Sequence, residues 1–133
     1  MIYKKLSRAM HRRDDGWLCE LISMNYDDQP FKCLHSYVVA VAPGMTRANH
    51  YHRKKKEWLA LAGGKLVIIL EDVNTREKDK VLLDAGSGDY NIIYIPPFVA
   101  HAIKNVNDHE SSLVIFSNGP EDKEDTIRFE VEE

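Results

Sequence analysis

Short apolar runs broken by turn residues recur along the chain, and their period is closer to two than to the 3.6 of a helix. Trp17–Ser23 reads as a first strand after the polar Arg12–Gly16 turn. His35–Ala42 is rich in β-branched and aromatic residues and stops at Pro43-Gly44, which predicts a strand and its end. Glu57–Ala62 and Lys65–Leu70 flank Gly63-Gly64, a hairpin signal. Glu71–Lys80 is charged and turn-like, and Val81–Asp84 is a brief strand. Asn91–Ile95 runs into Pro96-Pro97, and Ile103–Val106, Ser112–Ser117 and Thr126–Val131 complete the series. Tyr3–Arg12 alone has spacing that predicts a short helix. Many short strands at regular spacing, without a repeat of fixed period or a linker, predict one all-β sandwich or small barrel.

Bulk properties narrow the function classes. A chain of 133 residues is long enough for one core and too short for two, so one domain over 1–133 is expected. Hydrophobic content of 44% with 29% charged residues excludes a largely disordered chain. A net charge of -3 carries no global basic field, so no nucleic-acid partner is expected. Cys19 and Cys33 form no CxxC pair and are too few for a disulfide framework, so both read as reduced thiols acting as small hydrophobes. The opening Met-Ile-Tyr-Lys-Lys-Leu lacks an apolar signal core, and no segment is long enough to cross a bilayer. The expectation is a cytoplasmic protein with no membrane partner.

Three histidines and a glutamate stand out against this background. If the chain is extended from His50 to His52, both imidazoles face the same side of a strand. Glu57 follows beyond the charged Arg53–Lys56 run, which reads as a solvated turn, so a neighbouring strand can return it to the same cavity. His101 adds a fourth group from far along the chain.

Gly44, His50, His52, Glu57 and Gly63 resemble the first cupin motif at its defining positions, and Pro96, His101 and Asn105 resemble the second. Phe98 stands where most cupins have glycine. The resemblance implies an all-β, single-domain double-stranded β-helix, or jelly roll, with the site inside the barrel mouth. Arg13-Asp14-Asp15-Gly16-Trp17-Leu18-Cys19-Glu20 is similar to the D-x-R-G-x-F-x-E opening of epimerases acting on 4-keto-6-deoxy sugar nucleotides. Arg47-Ala48-Asn49-His50-Tyr51-His52 is similar to their R-G-x-H-Y-Q, and Ile95 to His101 to their I-P-x-G-F-A-H. Asp125-Thr126-Ile127-Arg128 resembles the D-Y-I-R ending of dTDP-sugar 3,4-ketoisomerases and the D-T near the end of cupin domains in capsular polysaccharide enzymes. Rhamnose-pathway epimerases have glutamine at the place of His52, a lysine near that of Glu57, and no metal; the His-His-Glu-His set here is that of the capsular polysaccharide cupins. No tyrosine follows the last core strand, where Ser117-Asn118-Gly119 stands.

Epimerising or isomerising beside a ketone starts with removal of a carbon-bound proton, which asks for a base with a pKa near working pH. The resemblance makes His50 that base, with His101 beside it in the catalytic set. Arg47 is either a diphosphate anchor, which its fork suits, or a plain salt bridge at the barrel rim. In the metal reading His50, His52, Glu57 and His101 ligate a divalent transition ion, and Zn, Mn, Fe, Ni and Co all suit the set. The two readings compete for His50, because a ligated imidazole has no lone pair for a proton. The expectation is a cupin enzyme epimerising or isomerising a keto-deoxy sugar nucleotide for polysaccharide synthesis, as a homodimer with a bound metal. The rivals are a metal-dependent dioxygenase or sugar-phosphate isomerase, and a non-catalytic sugar-binding cupin.

Overall fold

A computed structural model describes residues 2–132. Its strands are β1 (Lys4–Arg8), β2 (Met10–Arg13), β3 (Gly16–Cys19), β4 (His35–Val41), β5 (Thr46–His52), β6 (Glu57–Gly63), β7 (Lys65–Asp72), β8 (Lys78–Asp84), β9 (Tyr90–Ile95), β10 (Val99–Asn105), β11 (Ser111–Ser117) and β12 (Thr126–Arg128). Two five-stranded antiparallel sheets, in the orders β1-β9-β6-β11-β4 and β12-β5-β10-β7-β8, face one another, and β2-β3 forms a separate hairpin. This is the jelly roll expected. No helix long and apolar enough to cross a membrane occurs among the described residues.

Alternation along the strands builds the interior. On β11, Leu113 and Ile115 point inward while Val114 and Phe116 point out; on β7, Leu66, Ile68 and Leu70 do the same against Val67 and Ile69. The inward set joins Leu59, Leu61, Ile93 and Ile95 in one core between the sheets. Strand β10 is buried on both faces. Its outward Ala100 and Ala102 are small, and Val131 and Phe129 of the C-terminal segment pack over them. Asn49 clamps that segment, accepting the Val131 N–H at 3.1 Å through Oδ1 and the Phe129 N–H at 2.9 Å through its carbonyl.

Several expectations need correcting. Tyr3–Arg12 is not a helix. It makes β1 and β2, because β1 finds an open edge of β9 in register from Lys4↔Tyr94 to Arg8↔Tyr90, and that ladder outweighs weak helical spacing. Glu71–Lys80 is only partly a turn: β7 runs on to Asp72 and β8 begins at Lys78, so a charged tip closes a long ladder. Trp17–Ser23 shortens to Gly16–Cys19, Ile103–Val106 is the end of a strand that starts at Val99, and Thr126–Val131 shortens to Thr126–Arg128. Gly63-Gly64 does make the β6-β7 turn. Gly64 has φ +85°, and a Cβ there would sit 2.2 Å from Ser111 Oγ, so only glycine fits.

Candidate functional site

The site forms where the two sheets meet at one end of the barrel. Strand β5 presents His50 and His52 inward, and His101 of β10 lies directly opposite His50 in the ladder. Glu57 opens β6 in the other sheet, paired with Ile95 and Ser117. One ligand atom from each of His50, His52, Glu57 and His101 can be chosen so that all lie within 4.8 Å of one another. The structure therefore brings together the four residues that sequence spacing singled out.

Backbone strain aims this cluster. Ala48 (φ 72°) and Asn49 (φ 56°) are both left-handed, and the β5-β10 register shifts at His101/Ala102 to absorb them. Conformations of this kind cost on the order of 1–3 kcal/mol each and persist where the surroundings hold them. Here the holding group is the C-terminal segment clamped by Asn49. Phe98, at the position where most cupins carry glycine, also has positive φ, 65°. Its N–H donates to the His52 carbonyl at 2.7 Å and its carbonyl accepts from Val73 at 3.0 Å, which explains why glycine suits that place.

Hydrogen bonds set the imidazole tautomers. His52 Nδ1 lies 3.1 Å from the Asp125 carbonyl, and His101 Nδ1 lies 3.2 Å from the Val99 carbonyl. A carbonyl only accepts, so both Nδ1 atoms carry the proton and both Nε2 lone pairs face the cavity. Those Nε2 atoms lie 3.2 Å (His52) and 3.5 Å (His101) from Glu57 Oε1. His52 Nε2 and Glu57 Oε1 nonetheless have no hydrogen bond of normal geometry, although both are buried. Two buried, unsatisfied acceptor-capable atoms pointing at one space are what a cation would satisfy, and three imidazoles with a carboxylate suit a transition metal. The cluster fits a divalent ion.

Electrostatics in the metal-free protein follow from the same geometry. Burial, with His101 and His52 close by, pushes His50 down to about 4, so it is neutral with an open lone pair at ordinary pH. Burial also opposes charge on His52 and Glu57. The Glu57 carboxylate beside it raises the pKa of His52, and the neighbouring His101 and His52 imidazoles hold that of Glu57 well below the usual carboxylate range.

Four further residues belong to the site that motif reading did not assign to it. Tyr37 of β4 donates its hydroxyl to Glu57 Oε2 at 3.0 Å, and burial next to that carboxylate raises its pKa. Lys55 is buried, against the expectation of a solvated turn over Arg53–Lys56. Its ammonium lies 3.1 Å from Glu121 Oε2, 3.8 Å from Glu57 Oε2 and 5.4 Å from the Tyr37 ring centre. A lysine flanked by charged neighbours looks like surface in sequence; here two carboxylates draw it inward. Glu121 is held by Lys55 and by Thr126 Oγ1 at 2.9 Å, and these bonds outweigh burial and lower its pKa. Asp125 accepts N–H bonds from Arg53, Lys54 and Lys55 at 2.9, 3.0 and 3.1 Å.

A cavity of ≈ 260 Å³ opens above the cluster. His50, Glu57 and His101 line its base, Val39, Ile103 and Ile115 give apolar walls, and Arg47 and Glu121 stand among its lining residues. Arg47 is exposed and makes no ion pair among the described residues, so the rim-salt-bridge reading of it is not what the structure shows. A larger groove of ≈ 550 Å³ runs along the β2-β3 hairpin past His11, Arg13 and Trp17. It is a shallow hollow on two strands without a buried titratable cluster, whereas the smaller cavity is lined by one.

A family model described as the polysaccharide biosynthesis C-terminal domain matches residues 11–127. The chain belongs to that family. Solved structures share its fold. A 3,4-ketoisomerase from Helicobacter canadensis superposes with TM-score 0.79 at 20% identity, covering 96% of this chain and 91% of that one. QdtA, a sugar 3,4-ketoisomerase from Thermoanaerobacterium thermosaccharolyticum solved with TDP, gives 0.77 at 22%, covering 96% and 88%. The capsular polysaccharide assembling protein CapF from Staphylococcus aureus gives 0.68 at 27%, covering 93% of this chain but only 33% of CapF. No curated protein sequence matches the chain significantly. The chain thus shares the overall fold of these solved structures, and its His/Glu cluster lies at one end of that barrel.

Proposed function

We propose that the chain is an isomerase or epimerase of a keto-deoxy sugar carried on a nucleoside diphosphate, serving polysaccharide synthesis. The observation that carries this reading is the set of proton-handling groups at the base of a small cavity, with the exposed Arg47 among its lining residues. A volume of ≈ 260 Å³ lies at the small end of ligand pockets, which run from about 300 to 1,000 Å³, and so suits a sugar ring better than a whole sugar nucleotide. The diphosphate would then lie outside, where Arg47 offers its fork. The structural relatives support this substrate class: QdtA is solved with TDP, and a variant of it with TDP-4-keto-6-deoxyglucose.

The chemistry follows from the residues present. A base takes the proton from the carbon next to the ketone, the C–H pair becomes a C=C bond, and the carbonyl pair moves onto oxygen. Return of a proton to the opposite face of the same carbon epimerises it. Return to the former carbonyl carbon, with loss of the neighbouring hydroxyl proton, moves the ketone instead. His50, half-buried on the cavity base with His101 opposite it, is the group that takes the proton: the burial that pushes it down to about 4 keeps its lone pair open at ordinary pH while making it a weaker base than a free imidazole. His50, His52, Glu57 and His101 would hold a divalent ion, which when bound supplies Lewis-acid charge to the substrate oxygen. With the His50 lone pair so engaged, Tyr37, bonded to Glu57, and Glu121 are further titratable side chains lining the cavity. The proposed setting is one domain over 1–133, in the cytoplasm, as a homodimer.

The test is wash-in of solvent deuterium into TDP-4-keto-6-deoxyglucose, followed by NMR. The wild type should exchange a sugar C–H. His50→Ala should exchange about 10²–10⁴-fold more slowly with its fold intact. The four-residue cluster also fits a metal-dependent oxygenase; oxygen uptake with Fe(II) and no exchange would establish that reading instead. Affinity for the sugar nucleotide with neither reaction would make the chain a binding module.

A further inference from the structure

We infer that Asp125 is the positioning residue of the site, setting both the tautomer of His52 and the inward course of Lys55. Four bonds run from this one residue to the His52–Lys55 segment. Its carbonyl accepts from His52 Nδ1 at 3.1 Å; Oδ1 accepts the N–H groups of Arg53 and Lys54 at 2.9 and 3.0 Å; Oδ2 accepts that of Lys55 at 3.1 Å. Asp125 is 8% exposed, so water does not compete for these donors. The Asp125 N–H is in turn bonded to the Asp122 carbonyl at 3.0 Å, and β12, which begins one residue later, pairs Thr126 with His52. Asp125 is thus fixed from its own side before it grips the other.

The grip has a chemical consequence. Three successive N–H groups converging on one carboxylate fold residues 53–55 into a tight cup. That fold turns the Lys55 side chain inward to Glu57 and Glu121 and leaves His52 Nδ1 against the Asp125 carbonyl. Loosening the cup frees His52 to exchange its tautomer, and the lone pair that faces Glu57 is then no longer constant. His101 lies outside this device, because its Nδ1 is held by Val99 on its own strand.

The inference rests on reading the cluster as the working site, but its test does not require activity. Asp125→Ala removes both side-chain oxygens and with them the three N–H bonds they accept. Asp125→Asn keeps one oxygen and places an amide N–H₂ toward one of the donors, so it is the milder variant. In metal-free protein, with the pH raised until the imidazoles are neutral, long-range ¹H–¹⁵N spectra report each histidine's tautomer. The wild type should show His52 and His101 protonated on Nδ1. Asp125→Ala should mix the His52 tautomers while His101 stays unchanged, with Asp125→Asn between. Zinc affinity by chelator competition should fall about 10–100-fold in the alanine variant and less in the asparagine variant, as loss of a ligand's supporting bond does elsewhere. A wild-type His52 protonated on Nε2, or folded Asp125 variants with an unchanged His52, would overturn the inference. If the alanine variant does not fold, the asparagine variant decides by the same comparison. Absence of deuterium exchange in the wild type would overturn the proposed function and leave the tautomer result standing.

Discussion

Lys55→Met tests whether a lysine in a charged run is structural or idle. The ammonium is 4% exposed on its side chain and lies between Glu57, itself 2% exposed, and Glu121, whose side chain is 58% exposed. The Glu121 pair is open to water and screened, so it is worth at most ~1 kcal/mol. The Glu57 side carries the larger cost, because truncating one partner of a buried pair leaves a charge without compensation, at about 3–5 kcal/mol in the full case. Glu57 is not left alone: Tyr37 still donates to Oε2, and His52 and His101 still face Oε1. Methionine also refills the volume and removes the desolvation of the ammonium. The net expectation is a loss of about 1–2 kcal/mol at neutral pH, which for a chain of this size lowers Tm by roughly 3–8 °C. A solvated lysine would cost under ~0.5 kcal/mol. The assay is urea denaturation in EDTA, with a double-mutant cycle to Glu57→Gln and to Glu121→Gln. Coupling should be larger to Glu57. A loss below ~0.5 kcal/mol with no coupling to either would refute the buried-network reasoning.

Asn105→Ala should destabilise by about 2–4 kcal/mol, seen as a lower urea midpoint at unchanged m. The fully buried amide donates to the Val41 and His109 carbonyls, both at 2.8 Å, and accepts the Asn107 N–H at 2.8 Å, and no other side chain can replace those bonds. The metal-free protein should be most stable near pH 6.5, the unfolded imidazole value. Below it, unfolded chains protonate at His50 while the folded state, pushed down to about 4, does not, so stability falls as pH drops. The contribution of Glu57, whose folded pKa is lowered, is lost at still lower pH; that of His52, whose folded pKa is raised, is lost as pH rises through the folded value. Urea midpoints from about pH 4 to 9 should trace this dome, and His50→Gln should flatten its acid limb; an unchanged acid limb in that variant would refute the assignment.

Strand alternation, the turn glycines and two histidine-bearing motifs determined the fold class and the four clustered residues before any coordinates. Period two is a local property of the backbone, and His50 and His52 share a face on that ground alone. Gly64 was legible for the same reason, since its turn demands positive φ. Phe98 was legible only as a departure from a pattern; its φ of 65° became evident in three dimensions. Tertiary structure alone decided the rest. Tyr3–Arg12 became strand because a distant partner, β9, offered a ladder. Lys55 went inside because Glu57, two residues on, and Glu121, sixty-six residues on, converge on it. Tyr37 entered the site because β4 lies in the sheet that also carries Glu57 and its hydroxyl reaches Oε2, and Asp125 because the next residue, Thr126, returns to pair with His52. Short-range periodicity is written in neighbouring residues. The burial of a charge and the tautomer of an imidazole depend on groups that only folding brings within hydrogen-bond distance.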